Sequence, residues 1–165
     1  MESPLYREFF ESPAGWMEIT ASSRAVESVL FRGQVRPESL QPNLVTSQCA
    51  DELRAYFKGA LRQFSTPCNI QGTPFQTGVW NQVLKVPYGG ITTYHALASA
   101  LGKPQAVRAV GMANGKNRLL ILIPCHRVVG ADGSMVGYAG ELWRKKWLLE
   151  LEARYTGKGQ LSLEF

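Results

Sequence analysis

"TTYHALASALGKPQAVRAVGMANG", residues 92–115, is the stretch on which the fold turns. Thr92 or Thr93 suits an N-cap, and Tyr94, Leu97, Ala98 and Leu101 then recur on one helical face. Gly102 stops that helix and Pro104 opens another at once, over residues 105–115. Helix, glycine turn, helix is the pattern of a helix-turn-helix, although such pairs also occur in proteins that never touch nucleic acid. The second helix is unusual for a base reader. It offers Ala106, Val107, Ala109, Val110 and Gly111, with Arg108 as its one cation. Small residues allow close approach to a phosphate backbone and one long cation can reach into a groove. That combination suits DNA binding with little sequence preference.

Upstream, Thr73 is a good N-cap and Pro74 fits the first helical position. Phe75, Val79, Trp80, Val83 and Leu84 share a face, and Pro87, Gly89 and Gly90 end the helix. Residues 73–165 therefore read as a mostly helical C-terminal domain, and residues 1–72 as a smaller N-terminal domain of mixed type. In the latter, "WMEITAS" (16–22) follows "SPAG", and "AVESVLF" (25–31) is a second apolar run. They predict antiparallel strands. Residues 32–43 read as loop, and 47–61 as a helix carrying Ala50, Leu53, Tyr56, Phe57 and Leu61. The fold class is α+β.

The chain has 165 residues and a net charge of +5. The charge is uneven. Residues 1–72 hold 7 Lys/Arg against 8 Asp/Glu, net −1; residues 73–165 hold 11 against 5, net +6. A polyanionic partner would explain the imbalance, and so would a merely solvated basic surface. No stretch is apolar enough to cross a membrane, and the N-terminus lacks a signal-peptide pattern. Three cysteines cannot all pair, so a reducing, cytoplasmic setting is expected. Without a C-x-x-C no zinc site is expected. Cys49 and Cys68 have no histidine nearby and read as small hydrophobes.

Cys125 differs. "ILIPCHRVVG" (121–130) places it after an apolar run, Leu119 to Ile123, that reads as a buried strand ended by Pro124. Cysteine is a strong nucleophile once ionised, and His126 offers a base. Neighbouring side chains on extended backbone point apart, so a bridging water is expected between them. Glu152 would orient the imidazole from the edge of the apolar arc Trp147, Leu148, Leu151 and Tyr155 of a terminal helix over 144–155. The bland reading is a structural thiol and a core histidine.

"FQTGVW", "VPYG", "TTY", "RAVGMANGKN", "PCHRVVG", "GYAG" and "WLLELE" together resemble the O6-alkylguanine-DNA alkyltransferases, the methylated-DNA–protein-cysteine methyltransferases. The resemblance spans nearly the whole chain. It implies that Cys125 accepts the alkyl group, that His126 deprotonates it through a water, and that Glu152 orients His126. It implies that Asn117 holds a tight turn before the active strand by hydrogen bonds. Arg108 would fill the gap left by a flipped nucleotide, on a helix whose Ala106 and Gly111 approach the DNA. Tyr94 would help turn the nucleotide out and, with Val128, Tyr138 and Ala139, would form the guanine pocket. The implied partner is double-stranded DNA containing O6-alkylguanine, bound by a monomer that could act cooperatively, with no cofactor, in the cytoplasm at the nucleoid. Attack on a saturated carbon gives a thioether that water does not cleave, so each molecule would act once.

Two features set this chain apart. Glycine commonly follows "GYxG" in the family, whereas Glu141 does so here, at the rim of the implied pocket. Relatives that bind alkylated DNA without repairing it carry tryptophan in place of the cysteine, and Cys125 excludes that group. Two other classes remain open from the residues alone. One is a helix-turn-helix regulator with an inert cysteine; the other is a multiple-turnover cysteine hydrolase.

Overall fold

The computed structural model describes residues 5–33, 41–135 and 138–157. It is α+β, and the chain divides into two compact units, Met1–Ile70 and Gln71–Phe165. Most of the loop expected at 32–43 lies outside the described residues, as does Gly137 of "GYAG".

In the first unit, β1 (Tyr6–Ser12), β2 (Gly15–Ala21) and β3 (Val26–Gly33) form an antiparallel sheet in that order. The sequence reading caught β2 and β3 but not β1. The β1–β2 hairpin closes on Ser12, whose hydroxyl donates to the Gly15 carbonyl (2.6 Å) and accepts from the Ala14 N–H. Helix α1 (Leu44–Phe57) starts on a reciprocal cap between Asn43 and Thr46 and packs on β1 and β2. Cys49, Ala50, Leu53, Tyr56 and Phe57 are its buried face, against a sheet that buries Phe10, Met17 and Ile19.

In the second unit, α2 (Pro74–Val83) opens on the Thr73 cap, with Gln76 reaching back to the Thr73 N–H. Val79, Trp80 and Val83 are buried, but Leu84 is exposed because the helix ends before it. Thr93 caps α3 (Tyr94–Ala100), and Gly102, at φ 71°, turns the chain toward α4 (Val107–Gly115). Helices α2 and α3 both pack on α4, and the Trp80 indole N–H donates to the Ala113 carbonyl at 2.9 Å. Two-residue strands β4 (Thr92–Thr93) and β5 (Val128–Val129) pair in parallel, and α5 (Leu142–Thr156) completes the unit.

Two expectations are corrected. The run 119–123 is no strand but a buried tight turn. Ile121 has φ 72°, and the Ile123 N–H donates back to the Leu119 carbonyl at 2.8 Å. The apolar arc expected on α5 holds for Leu148 and Leu151 but not for its other two members. Tyr155 is exposed and Trp147 half-buried, while Arg144 and Lys145 are buried beside Leu148, Leu149 and Glu152. Burying an ion is costly unless it is paired, so partners had to be found inside, and they build the site.

Candidate active site

Pro124 ends the buried turn, and Cys125–Arg127 form a single helical turn of three residues. This compact turn replaces the extended chain expected there. Cys125 and His126 are fully buried. Two asparagines hold Cys125, one at its sulfur and one at its backbone. The Asn117 amide donates to Sγ at 3.1 Å and to the Ile123 carbonyl at 3.0 Å, and its oxygen accepts the Leu119 N–H at 2.9 Å. One side chain thus ties the strained Ile121 turn to the sulfur. Asn114, at the end of α4, donates to the Cys125 carbonyl at 3.2 Å.

Glu152 is not at an edge, as expected, but wholly buried, because four donors surround its carboxylate. Oε1 accepts from Arg127 Nε (2.8 Å) and from the Gly89 N–H (3.0 Å). Oε2 meets His126 Nε2 (2.6 Å) and accepts from Arg127 Nη2 (3.0 Å). Burial alone would raise this carboxyl, but His126 and Arg127 hold it well below the usual carboxylate range. An ionised carboxylate only accepts hydrogen bonds, so His126 must carry its proton on Nε2. That leaves a lone pair on Nδ1, which is buried and has no hydrogen-bond partner among the described residues. Burial lowers the His126 pKa, Glu152 opposes the shift, and Arg127 adds to it. The imidazole is therefore a neutral base whose free nitrogen is Nδ1.

Burial pushes the Cys125 thiol up to about 11, against the Asn117 hydrogen bond and the charge of Lys145. Lys145 is wholly enclosed, and burial brings its ammonium down to about 8 while Cys125 works to raise it. Its Nζ donates to the Tyr94 hydroxyl at 3.1 Å. Burial pushes that phenol up to about 12. Tyr138 is buried close enough to Cys125 for their charges to interact, and its hydroxyl has no partner among the described residues. Val128 is buried in β5, whereas Ala139 lies exposed in the turn before α5.

Tyr94 also borders a cleft of about 660 Å³ along α4, lined by Val107, Arg108, Gly111, Met112, Gly115 and Lys116. The cleft gathers Tyr94, Arg108 and Gly111, while Ala106 caps α4 without lining it. Arg108 is exposed. Tyr94 faces the cleft on one side and the Lys145–Cys125 cluster on the other. The other cysteines are unlike Cys125. Burial raises all three thiols, Cys68 also to about 11, but Glu52 adds to the rise at Cys49 and Cys68, whereas Asn117 and Lys145 oppose it at Cys125. Among the described residues no three His, Cys, Asp or Glu side chains gather as metal ligands.

Arg127, Lys145, Asn114 and Gly89 were missed by the sequence reading. The available signal was the "CHR" string itself and the "VPYGG" turn, since both lie in motifs singled out for other reasons.

Residues 74–154 match the family model described as "6-O-methylguanine DNA methyltransferase, DNA binding domain". The methylated-DNA–protein-cysteine methyltransferase of Methanosarcina barkeri is 37% identical over 153 residues, covering 90% of this chain and 97% of the relative. The crystal structure of Mycobacterium tuberculosis O6-methylguanine methyltransferase superposes with a TM-score of 0.82 at 36% identity, covering 92% of this chain and 94% of that one. The Mycobacterium tuberculosis structure in complex with DNA gives 0.82 at 37% identity, covering 90% and 93%.

Proposed function

The chain belongs to the methylated-DNA–protein-cysteine methyltransferase family, and from that membership we propose that it repairs O6-alkylguanine in duplex DNA by moving the alkyl group onto Cys125. The observation that carries the reading is the buried thiol beside a histidine whose Nδ1 is left as the acceptor by a carboxylate saturated with donors.

The alkyl carbon of such a base lies inside the duplex, so the nucleotide leaves the stack. Helix α4 enters a groove, its small residues against the backbone, and Arg108 occupies the gap. Tyr94 and Lys116 border the cleft that receives the flipped nucleotide. His126 Nδ1 takes the thiol proton, through one water. The sulfur attacks the alkyl carbon; the S–C bond forms as the C–O6 bond breaks, and the electron pair leaves with guanine. The leaving purine needs a proton or a strong donor. The Tyr94 hydroxyl, which accepts from Lys145, supplies it, and the ammonium stabilises the phenolate that results. Val128, Tyr138 and Ala139 enclose the base. No later step breaks the thioether, so each molecule works once.

Intact-protein mass spectrometry tests this with duplex DNA containing O6-methylguanine. The expected result is one methyl group per molecule, mapped to Cys125, with substrate left over when DNA is in excess. Cys125→Ser takes up none. Sequence-specific binding without uptake would mark a regulator, and repeated turnover would mark a hydrolase; either result overturns the reading.

A further inference from the structure

The "VPYGG" turn, residues 86–90, lies far from Cys125 in sequence and carries no carboxylate, imidazole or amine. Three of its residues nevertheless grip the relay. The Val86 carbonyl accepts from Arg127 Nη1 at 2.8 Å. The Tyr88 ring lies under the Arg127 guanidinium, 5.7 Å from its carbon. The Gly89 N–H donates to Glu152 Oε1 at 3.0 Å. Gly89 can do so because it has φ 78°, and a Cβ there would lie 2.6 Å from Thr156 Cγ2 on α5. Arg127 meanwhile spans both Glu152 oxygens through Nε and Nη2.

We infer that Arg127 and the 86–89 turn form a clamp that positions Glu152 and tempers His126, keeping the imidazole a neutral base at working pH. This rests on the proposed alkyl transfer, for which it names positioning residues. A lone carboxylate at 2.6 Å from a buried imidazole would draw a second proton onto the ring and occupy Nδ1. Arg127 and the Gly89 N–H spread the carboxylate's charge over other donors, so less of it acts on the ring. The charged groups facing the imidazole are Glu152 and Lys145 from α5 and Arg127 from its own turn. On the thiol side stand Cys125, Tyr94 from α3 and Tyr138. Of these, only Glu152 favours the imidazolium when Cys125 is protonated. The clamp is what restrains it.

The chain has two histidines, and His95 is exposed, so NMR of the two imidazoles separates them across pH. In the unaltered protein His126 stays neutral, protonated on Nε2, through the neutral range. In Arg127→Met its titration moves up by about one pH unit, a tenfold change in proton affinity. The acid side of the alkylation-rate profile moves up with it. Gly89→Ala, which keeps Arg127, shifts both in the same direction by less. Arg127→Lys keeps the charge without the fork and restores the pH profile more than the rate. If Arg127→Met does not fold, the other two variants decide. An unmoved His126 titration in folded variants, or an equal rate loss at every pH, overturns the clamp. Failure of the unaltered protein to take up alkyl groups would instead overturn the reaction, and the imidazole titration would still judge the clamp.

Discussion

Glu141 adopts φ 77° and ψ 148°, a region that residues bearing a Cβ rarely enter and that costs about 1–3 kcal/mol. Its carboxylate accepts from the Trp143 indole at 2.8 Å, and the Arg144 guanidinium lies 4.5 Å from the centre of that indole's ring. The indole bond lies on the surface and offsets only part of the strain. Glu141→Gly is therefore expected to stabilise the fold by about 1 kcal/mol, raising the melting temperature by roughly 2–4 °C at this size. Thermal unfolding checks it. Glu152 is the opposite case, a charge that is stabilising where it sits. Its folded pKa is depressed, so its contribution is present above the ordinary value of 4.5 and drains away as pH falls toward the folded value. Glu152→Gln should lose about 3–5 kcal/mol at neutral pH, since Arg127 stays buried without its counter-ion. It should also show a flatter fall in stability below that value. Denaturant unfolding at a series of pH values measures both.

At the scale of elements, α4 is built for closeness. Val110, Ala113 and Asn114 face inward, and Gly111 lies where a Cβ would come 3.8 Å from the Tyr94 ring, an ordinary contact. Gly111→Ala should stabilise the helix by up to about 1 kcal/mol and yet slow repair of duplex DNA, because the added methyl narrows the cleft wall. Paired unfolding and single-turnover rates on duplex DNA test the trade. Much of this architecture was legible in sequence. Thr73 and Pro74 announced α2, Thr93 and Gly102 bracketed α3, and the motif residues Cys125, His126, Asn117 and Glu152 were named together. The failures share a cause. The run 119–123 has the composition of a strand, but the left-handed Ile121 and the Asn117 bonds that stabilise it leave no trace in hydrophobic pattern. Arg127 and Lys145 look like any solvated cation until the fold supplies Glu152 and Tyr94 as partners. Strand β1 was announced by the Ser12–Gly15 turn, which was read as a boundary and not as a hairpin.

For the molecule as a whole, the basic excess of residues 73–165 overstates what DNA can meet. Among the described residues Arg127, Arg144 and Lys145 are buried, and Lys85, Lys103, Arg108, Lys116, Arg118, Lys146 and Arg154 are exposed. Affinity for undamaged duplex DNA should fall with salt, and Lys116→Ala, which removes a cation bordering the cleft, should reduce the slope of log K against log salt by about 1. Arg127→Lys should leave the slope unchanged. Titrations at several salt concentrations check this. Under the proposed single-use reaction, the full burial of Cys125 has a further consequence. Such a molecule is a stockpiled reagent, and its value depends on shelf life between synthesis and the first lesion. A sulfur closed off by its own fold is out of reach of bulky oxidants and disulfides, which meet the half-buried Cys68 first. The interior location that makes the thiol hard to reach also keeps it unspent.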